Sequence, residues 1–129
     1  MQHLNVDLVQ HVYAAYLQGD QAAVRAAFVP DIRWHNSGFD PTSGTMEGPD
    51  AVLAYLMGEN HVEDYRLEVI DMLASDERVA VVARTTGRKG DRQIVNDFVQ
   101  LLRIQGGQVA EVWNYMWDQR GLAEFFAAA

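Results

Sequence analysis

His35 stands where a helical N-terminal third gives way to a β-rich remainder. Its imidazole, with an ordinary pKa of about 6.5, can take or give a proton near neutrality. Asp118, just past the last alternating apolar run, is the carboxylate that could orient or charge-stabilise it. It could also be the base itself, if apolar surroundings raise its pKa. It fits equally well as the N-cap of a helix starting at Gln119. Asn96, Gln100 and Asn114 can donate hydrogen bonds to a developing oxyanion without titrating. Tyr13 and Tyr16 lie on the apolar stripe of the first helix and could bring a phenol to the same place. Phe98 and Met116 share strand parity with the amides and would supply apolar wall. Together these residues describe a mostly apolar small-molecule site with a few convergent polar groups.

Such a set needs a scaffold to gather it. Val6, Val9, Val12, Tyr13, Tyr16 and Leu17 recur at helical spacing, so residues 5–18 form a helix that Gly19 stops. Asp20 caps a second, Ala-rich helix over 21–28, and Pro30 ends it. A strand over 31–36 follows. Residues 37–47 show no periodicity and read as a loop, the rim of a pocket. Gly48-Pro49-Asp50 opens a third helix running to about Glu59. From Tyr65 the period becomes two, giving strands over 65–74, 78–88, 92–104 and 108–117. Their short polar connections make them antiparallel neighbours. A helix over 119–127 closes the order α-α-β-α-β-β-β-β-α.

Long twisted strands curl, and helices laid across the concave face leave a pocket. With Gln100 facing inward, Ile94, Asn96, Phe98 and Leu102 share its face. The matching set on the final strand is Val112, Asn114, Met116 and Asp118. On the first strand it is Arg33 and His35, which sends Trp34 and Trp113 outward.

The bulk properties exclude several classes. The 129 residues suffice for one domain spanning 1–129, with 49% hydrophobic and 22% charged residues. A net charge of −8, from 18 acidic and 10 basic residues, disfavours a nucleic-acid or anionic-membrane partner. The cluster Arg88-Lys89-Gly90-Asp91-Arg92 falls on a hairpin tip. Cysteine is absent, so there is no thiolate metal site and no thiol nucleophile. His3, His11, His35 and His61 share no ligand spacing, and no metal is expected. No nucleotide fingerprint is present, so no cofactor is expected. Without a secretory signal or a long apolar run, the expected location is cytoplasmic.

The motifs also occur in a telling order. They are Tyr16…Gly19-Asp20, then Phe28-Val29-Pro30-Asp31-Ile32-Arg33-Trp34-His35, then Ser43-Gly44-Thr45-Met46-Glu47-Gly48-Pro49-Asp50. Leu102-Arg103-Ile104-Gln105-Gly106-Gly107-Gln108-Val109 and Glu111-Val112-Trp113-Asn114-Tyr115 come later. This series resembles the nuclear-transport-factor-2-like (NTF2-like) superfamily, and within it the SnoaL-like and ketosteroid-isomerase-like proteins. The resemblance implies an α+β cone: a strongly curved, mostly antiparallel sheet, three N-terminal helices over its concave face and a short C-terminal helix. It also implies a homodimer packed through the outer sheet face. It carries the isomerase general base onto His35, the oxyanion tyrosine onto Tyr16 with Tyr13 as rival, the second oxyanion donor onto Gln100, and the cyclase aspartate onto Asp118.

The expected function is cofactor-independent acid–base catalysis on a small hydrophobic carbonyl-bearing or polycyclic substrate: isomerisation, cyclisation or dehydration. The alternative is a non-catalytic module that binds a small molecule or a protein. A third reading, epoxide hydrolysis, has only Arg33 and Asp118 of the set it needs.

Overall fold

The computed structural model describes residues 2–58 and 62–127. Helix α1 (Leu4–Leu17) starts at His3, whose Nδ1 accepts from the Asn5 amide, and it buries Val6 and Val9. Gly19 ends it with φ +72, a conformation that side chains disfavour. Helix α2 (Gln21–Ala26) is capped by the Asp20 carboxylate, which accepts from the Ala23 N–H at 3.1 Å. Strands β1 (Phe28–Asn36) and β2 (Gly44–Glu47) precede helix α3 (Pro49–Met57). Then come β3 (Glu63–Ala74), β4 (Arg78–Lys89), β5 (Arg92–Gln105), β6 (Gln108–Met116) and helix α4 (Gln119–Phe126). Among the described residues no helix is long and apolar enough to cross a membrane.

The strands form one six-stranded sheet in the order β2-β1-β6-β5-β4-β3. All neighbours are antiparallel except β1 and β6, which run parallel. The concave face and the helices share one core. Val9, Val24, Ile32, Val52, Val79, Val81, Val109 and Val112 are each less than 2% exposed. Burying one such branched side chain stabilises by roughly 1.5–3 kcal/mol.

The structure departs from the sequence reading in three places that matter for the site. Residues 44–47 are not loop but strand, paired to β1 with Trp34 opposite Met46 and His35 opposite Thr45. Strand β1 begins at Phe28, before Pro30, and the second helix is correspondingly shorter, ending at Ala26. Pro30 falls in an irregular stretch of the β1–β6 register, where its missing N–H leaves no gap in the ladder. The third departure is the N-terminal shift of β3, which begins at Glu63 and not at Tyr65, while the mostly antiparallel sheet is as expected, with β1–β6 its one parallel pair. Glu59, the expected end of the third helix, and His61 lie outside the described residues.

Candidate ligand-binding site

A cavity of about 170 Å³ lies between the helices and the concave sheet face. Tyr13 and Tyr16 reach it from α1, Trp34 from β1 and Tyr55 from α3. Strands β3 and β4 add Tyr65, Leu67 and Thr85, while β5 and β6 add Ile94, Asn96, Phe98, Gln100, Asn114 and Met116. Helix α4 closes one end with Leu122, Phe125 and Phe126. No Asp, Glu, His, Lys or Arg is among the described residues lining it.

Polar groups of the wall form a chain with Asn36, which lies behind it. The Trp34 indole N–H and the Asn114 amide both donate to Asn36 Oδ1, at 3.0 and 2.8 Å. The Gln100 amide donates to Asn114 Oδ1 at 3.0 Å, and Tyr13 donates its hydroxyl to Gln100 Oε1 at 2.8 Å. Asn36 in turn donates to the Thr42 carbonyl at 2.8 Å, which ties the chain to the rim. Strand register explains the assembly. Asn36 stands opposite Asn114, and Gln100 stands opposite Asn114 from the other side. The three buried amides therefore form a row across β1, β6 and β5.

Asn96 lies on the same inward face but outside this row. Its Nδ2 faces Met116 Sδ at 3.4 Å, and its Oδ1 has no partner among the described residues.

The tyrosines are donors, not bases. Burial pushes the Tyr13 hydroxyl well above its usual range, with Tyr16 nearby adding to the shift. Burial likewise pushes Tyr55 up to about 12, against a smaller lowering by the Asn36 hydrogen bond. Tyr16 donates to the Tyr65 hydroxyl at 3.3 Å.

His35 is not in the cavity. It shares its face of β1 with Arg33, and both point to the outer side of the sheet. Ile32, Trp34 and Asn36 point inward. The cause is the parallel register: Asn36 pairs with inward Asn114, which sets His35 beside outward Trp113. His35 stacks on Trp113 with ring centroids 5.7 Å apart. Its Nε2 lies 2.6 Å from Glu111 Oε2 and its Nδ1 2.8 Å from Thr45 Oγ1, so it pins β2, β1 and β6 together across the outer face. The Glu111 carboxyl is held below the usual carboxylate range, first by that hydrogen bond and then by the charges of His35, Arg33 and Arg103, against an opposing effect of burial. The expectation of an inward His35 and an outward Trp34 is thus reversed.

Asp118 caps α4, accepting from the Gly121 N–H at 2.9 Å, and does not approach His35. A Cβ at Gly121 would collide with that carboxylate. Arg33 lies 3.6 Å from Glu47 on the outer face, so Arg33 and Asp118 are not brought together. Among the described residues, no group of three His, Asp or Glu could hold a metal ion.

The structure brings Tyr13, Tyr16, Asn96, Phe98, Gln100, Asn114 and Met116 to the cavity and leaves His35 and Asp118 outside it. Trp34, Asn36, Tyr55 and Tyr65 were missed. The alternation Asp31-Ile32-Arg33-Trp34 already signals Ile32 and Trp34 as the buried pair, and Asn36 follows by parity.

The profile of the SnoaL-like domain family matches residues 9–112. An uncharacterised protein of Mycobacterium tuberculosis is 25% identical over 126 residues, which is 95% of this chain and 96% of that one. Among solved structures, an NTF2-like protein from Burkholderia xenovorans is 28% identical with a TM-score of 0.84, covering 95% of each chain. A protein of unknown function with a cystatin-like fold from Xanthomonas campestris is 27% identical with a TM-score of 0.84, covering 95% of this chain and 98% of that one.

Proposed function

The chain belongs to the family of SnoaL-like domains and has the NTF2-like fold, and on that footing we propose that it binds a small, neutral, largely apolar molecule in the cone. What carries this reading is the chemistry of the wall: aromatic and aliphatic side chains, amides and hydroxyls, with no ionisable acid, imidazole, amine or guanidinium among the described lining residues. A charged ligand would lose its hydration there without gaining a counter-charge. A neutral one gains apolar contact on most of its surface and meets a few fixed hydrogen-bonding groups.

Acid–base catalysis draws support from the family and from the donors Tyr13, Gln100 and Asn114, which could polarise a carbonyl oxygen. It lacks a proton acceptor in the described wall, since the raised tyrosines stay protonated near neutrality. Binding without turnover is therefore the reading the geometry favours.

We also infer that two copies pair through the outer sheet face. Val82, Val99 and Tyr115 stand in one row across β4, β5 and β6, and Val99 and Tyr115 are 37% and 54% exposed. Val95 adds to the same face at 54%. A contiguous exposed apolar surface of this kind suits a protein interface.

A ligand that binds only the native state raises its melting temperature, by about 2.7 kcal/mol of stability at a hundred times the Kd. Neutral one-ring compounds are expected to give saturable shifts, while carboxylates and amines on the same skeletons give none. Ile94→Trp, which fills the cavity, is expected to abolish the shifts. Equal shifts from charged and neutral compounds, or shifts unaffected by Ile94→Trp, would reject the reading.

A further inference from the structure

The cavity contains a buried polar atom that no described residue hydrogen-bonds. Asn96 is 5% exposed on the inward face of β5, it lines the cavity, and its Oδ1 has no hydrogen-bond partner among the described residues. The amide nitrogen faces Met116 Sδ at 3.4 Å. A thioether can only accept, so the nitrogen belongs on the sulfur side and the oxygen is the open atom.

The other inward-facing amides differ, Gln100 and Asn114 in the wall and Asn36 behind it. The oxygen of Asn36 accepts from Trp34 and Asn114, that of Asn114 from Gln100, and that of Gln100 from Tyr13. Those oxygens are engaged within the fold. Asn96 is one inward position beyond Phe98 from Gln100, and its nearest polar neighbour by register is Thr85, which also lines the cavity. Interiors leave few buried acceptors unmatched, and each one calls for an explanation.

We propose that Asn96 Oδ1 is the polar anchor of the cavity, and that the ligand is a neutral ring compound presenting an O–H or N–H donor to it. The inference rests on the cavity being a site for neutral small molecules and adds which ones it selects. An ether, ketone or carboxylate would set lone pair against lone pair at Oδ1. An ammonium would be a donor but would find no carboxylate in the described wall. A hydroxyl satisfies the site in both senses, donating to Asn96 and accepting from a hydroxyl such as that of Thr85. A dry apolar cavity of about 150 Å³ holds a benzene ring, so one of about 170 Å³ suits a one-ring body with a short substituent. The carbonyl-bearing substrate expected from the sequence would not satisfy this atom.

The test is calorimetric titration of the intact protein with three probes of one skeleton: para-ethylphenol, para-ethylanisole and ethylbenzene. The wild type is expected to bind the phenol roughly tenfold tighter than the methyl ether, the scale of one well-made buried hydrogen bond. Asn96→Leu, close in volume and apolar, is expected to erase that preference while still binding ethylbenzene. Asn96→Ala gives the same comparison should the leucine variant not fold. If the wild type binds phenol and ether equally, the anchor is wrong and the neutral-ligand reading stands. If the preference survives both Asn96 substitutions, the anchor is elsewhere and this inference falls. If none of the three probes binds, both readings fall together.

Discussion

Asn36 and Asn114 face each other across the parallel β1–β6 pair, with the Asn114 amide donating to Asn36 Oδ1 at 2.8 Å. Both are buried, at 5% and 4% exposed, so neither can turn to water instead. Asn114→Leu strands the Gln100 amide and takes one of two donors from Asn36 Oδ1. The expected loss is about 1–3 kcal/mol for a buried group left unpaired. Urea denaturation of Asn36→Leu, Asn114→Leu and the double variant should give a coupling of roughly 0.5–3 kcal/mol. Strict additivity would mean that the two amides act independently.

The His35–Glu111 contact predicts a particular acid limb. Because the folded Glu111 carboxyl is held below its ordinary value, the unfolded chain takes up that proton at a higher pH than the folded one does. The stabilisation is complete above the ordinary Glu value of about 4.3 and drains away as the pH falls through the depressed folded value. Glu111→Gln should flatten that limb below about pH 5, seen as urea midpoints that vary less with pH. Parallel acid limbs in the two proteins would show that Glu111 is not the group responsible.

Asp118 separates a capping role from a catalytic one. Asp118→Ala removes the acceptor for the Gly121 N–H and should cost about 1 kcal/mol, with affinity for cavity ligands unchanged. A loss of affinity beyond the loss of stability would place the carboxylate in the site.

The outer face predicts an assembly. Sedimentation of the wild type should give a dimer, and Val99→Lys with Tyr115→Lys should give a monomer that keeps its ligand affinity, because both side chains lie on the sheet face away from the cavity. A wild type that stays monomeric at high micromolar concentration rejects the pairing.

The long periodic elements were legible because one physical rule governs each. Helical spacing marked α1, and period two marked β3 to β6, with Asn96 and Phe98 sharing the face of Gln100 by alternation once Gln100 is set inward, and Asn114 and Met116 forming the matching set on β6. Strand β2 was not legible. Its four residues are mostly exposed and gain their order from pairing with β1, not from burial of a face. The orientation of β1 was misjudged for a different reason. A resemblance placed a base at His35, although Ile32 and Trp34, alternating with charged Asp31 and Arg33, mark the opposite face as the buried one. Tyr65 was out of reach, because its approach to Tyr16 spans 49 residues of sequence.

The bond between Asn36 and Asn114 also joins residues 78 apart in sequence. During synthesis, Trp34 and Asn36 leave the ribosome long before β6, the strand they lie beside, has been made. The intervening meander β3–β5 can pair locally as it emerges, whereas β1 must wait, since contacts so distant in sequence form slowly and only after a large loop has closed. The cavity is thus complete only once residues from both ends of the chain have met. A chain interrupted before β6 would hold its tyrosines and its helices with no row of amides to face them.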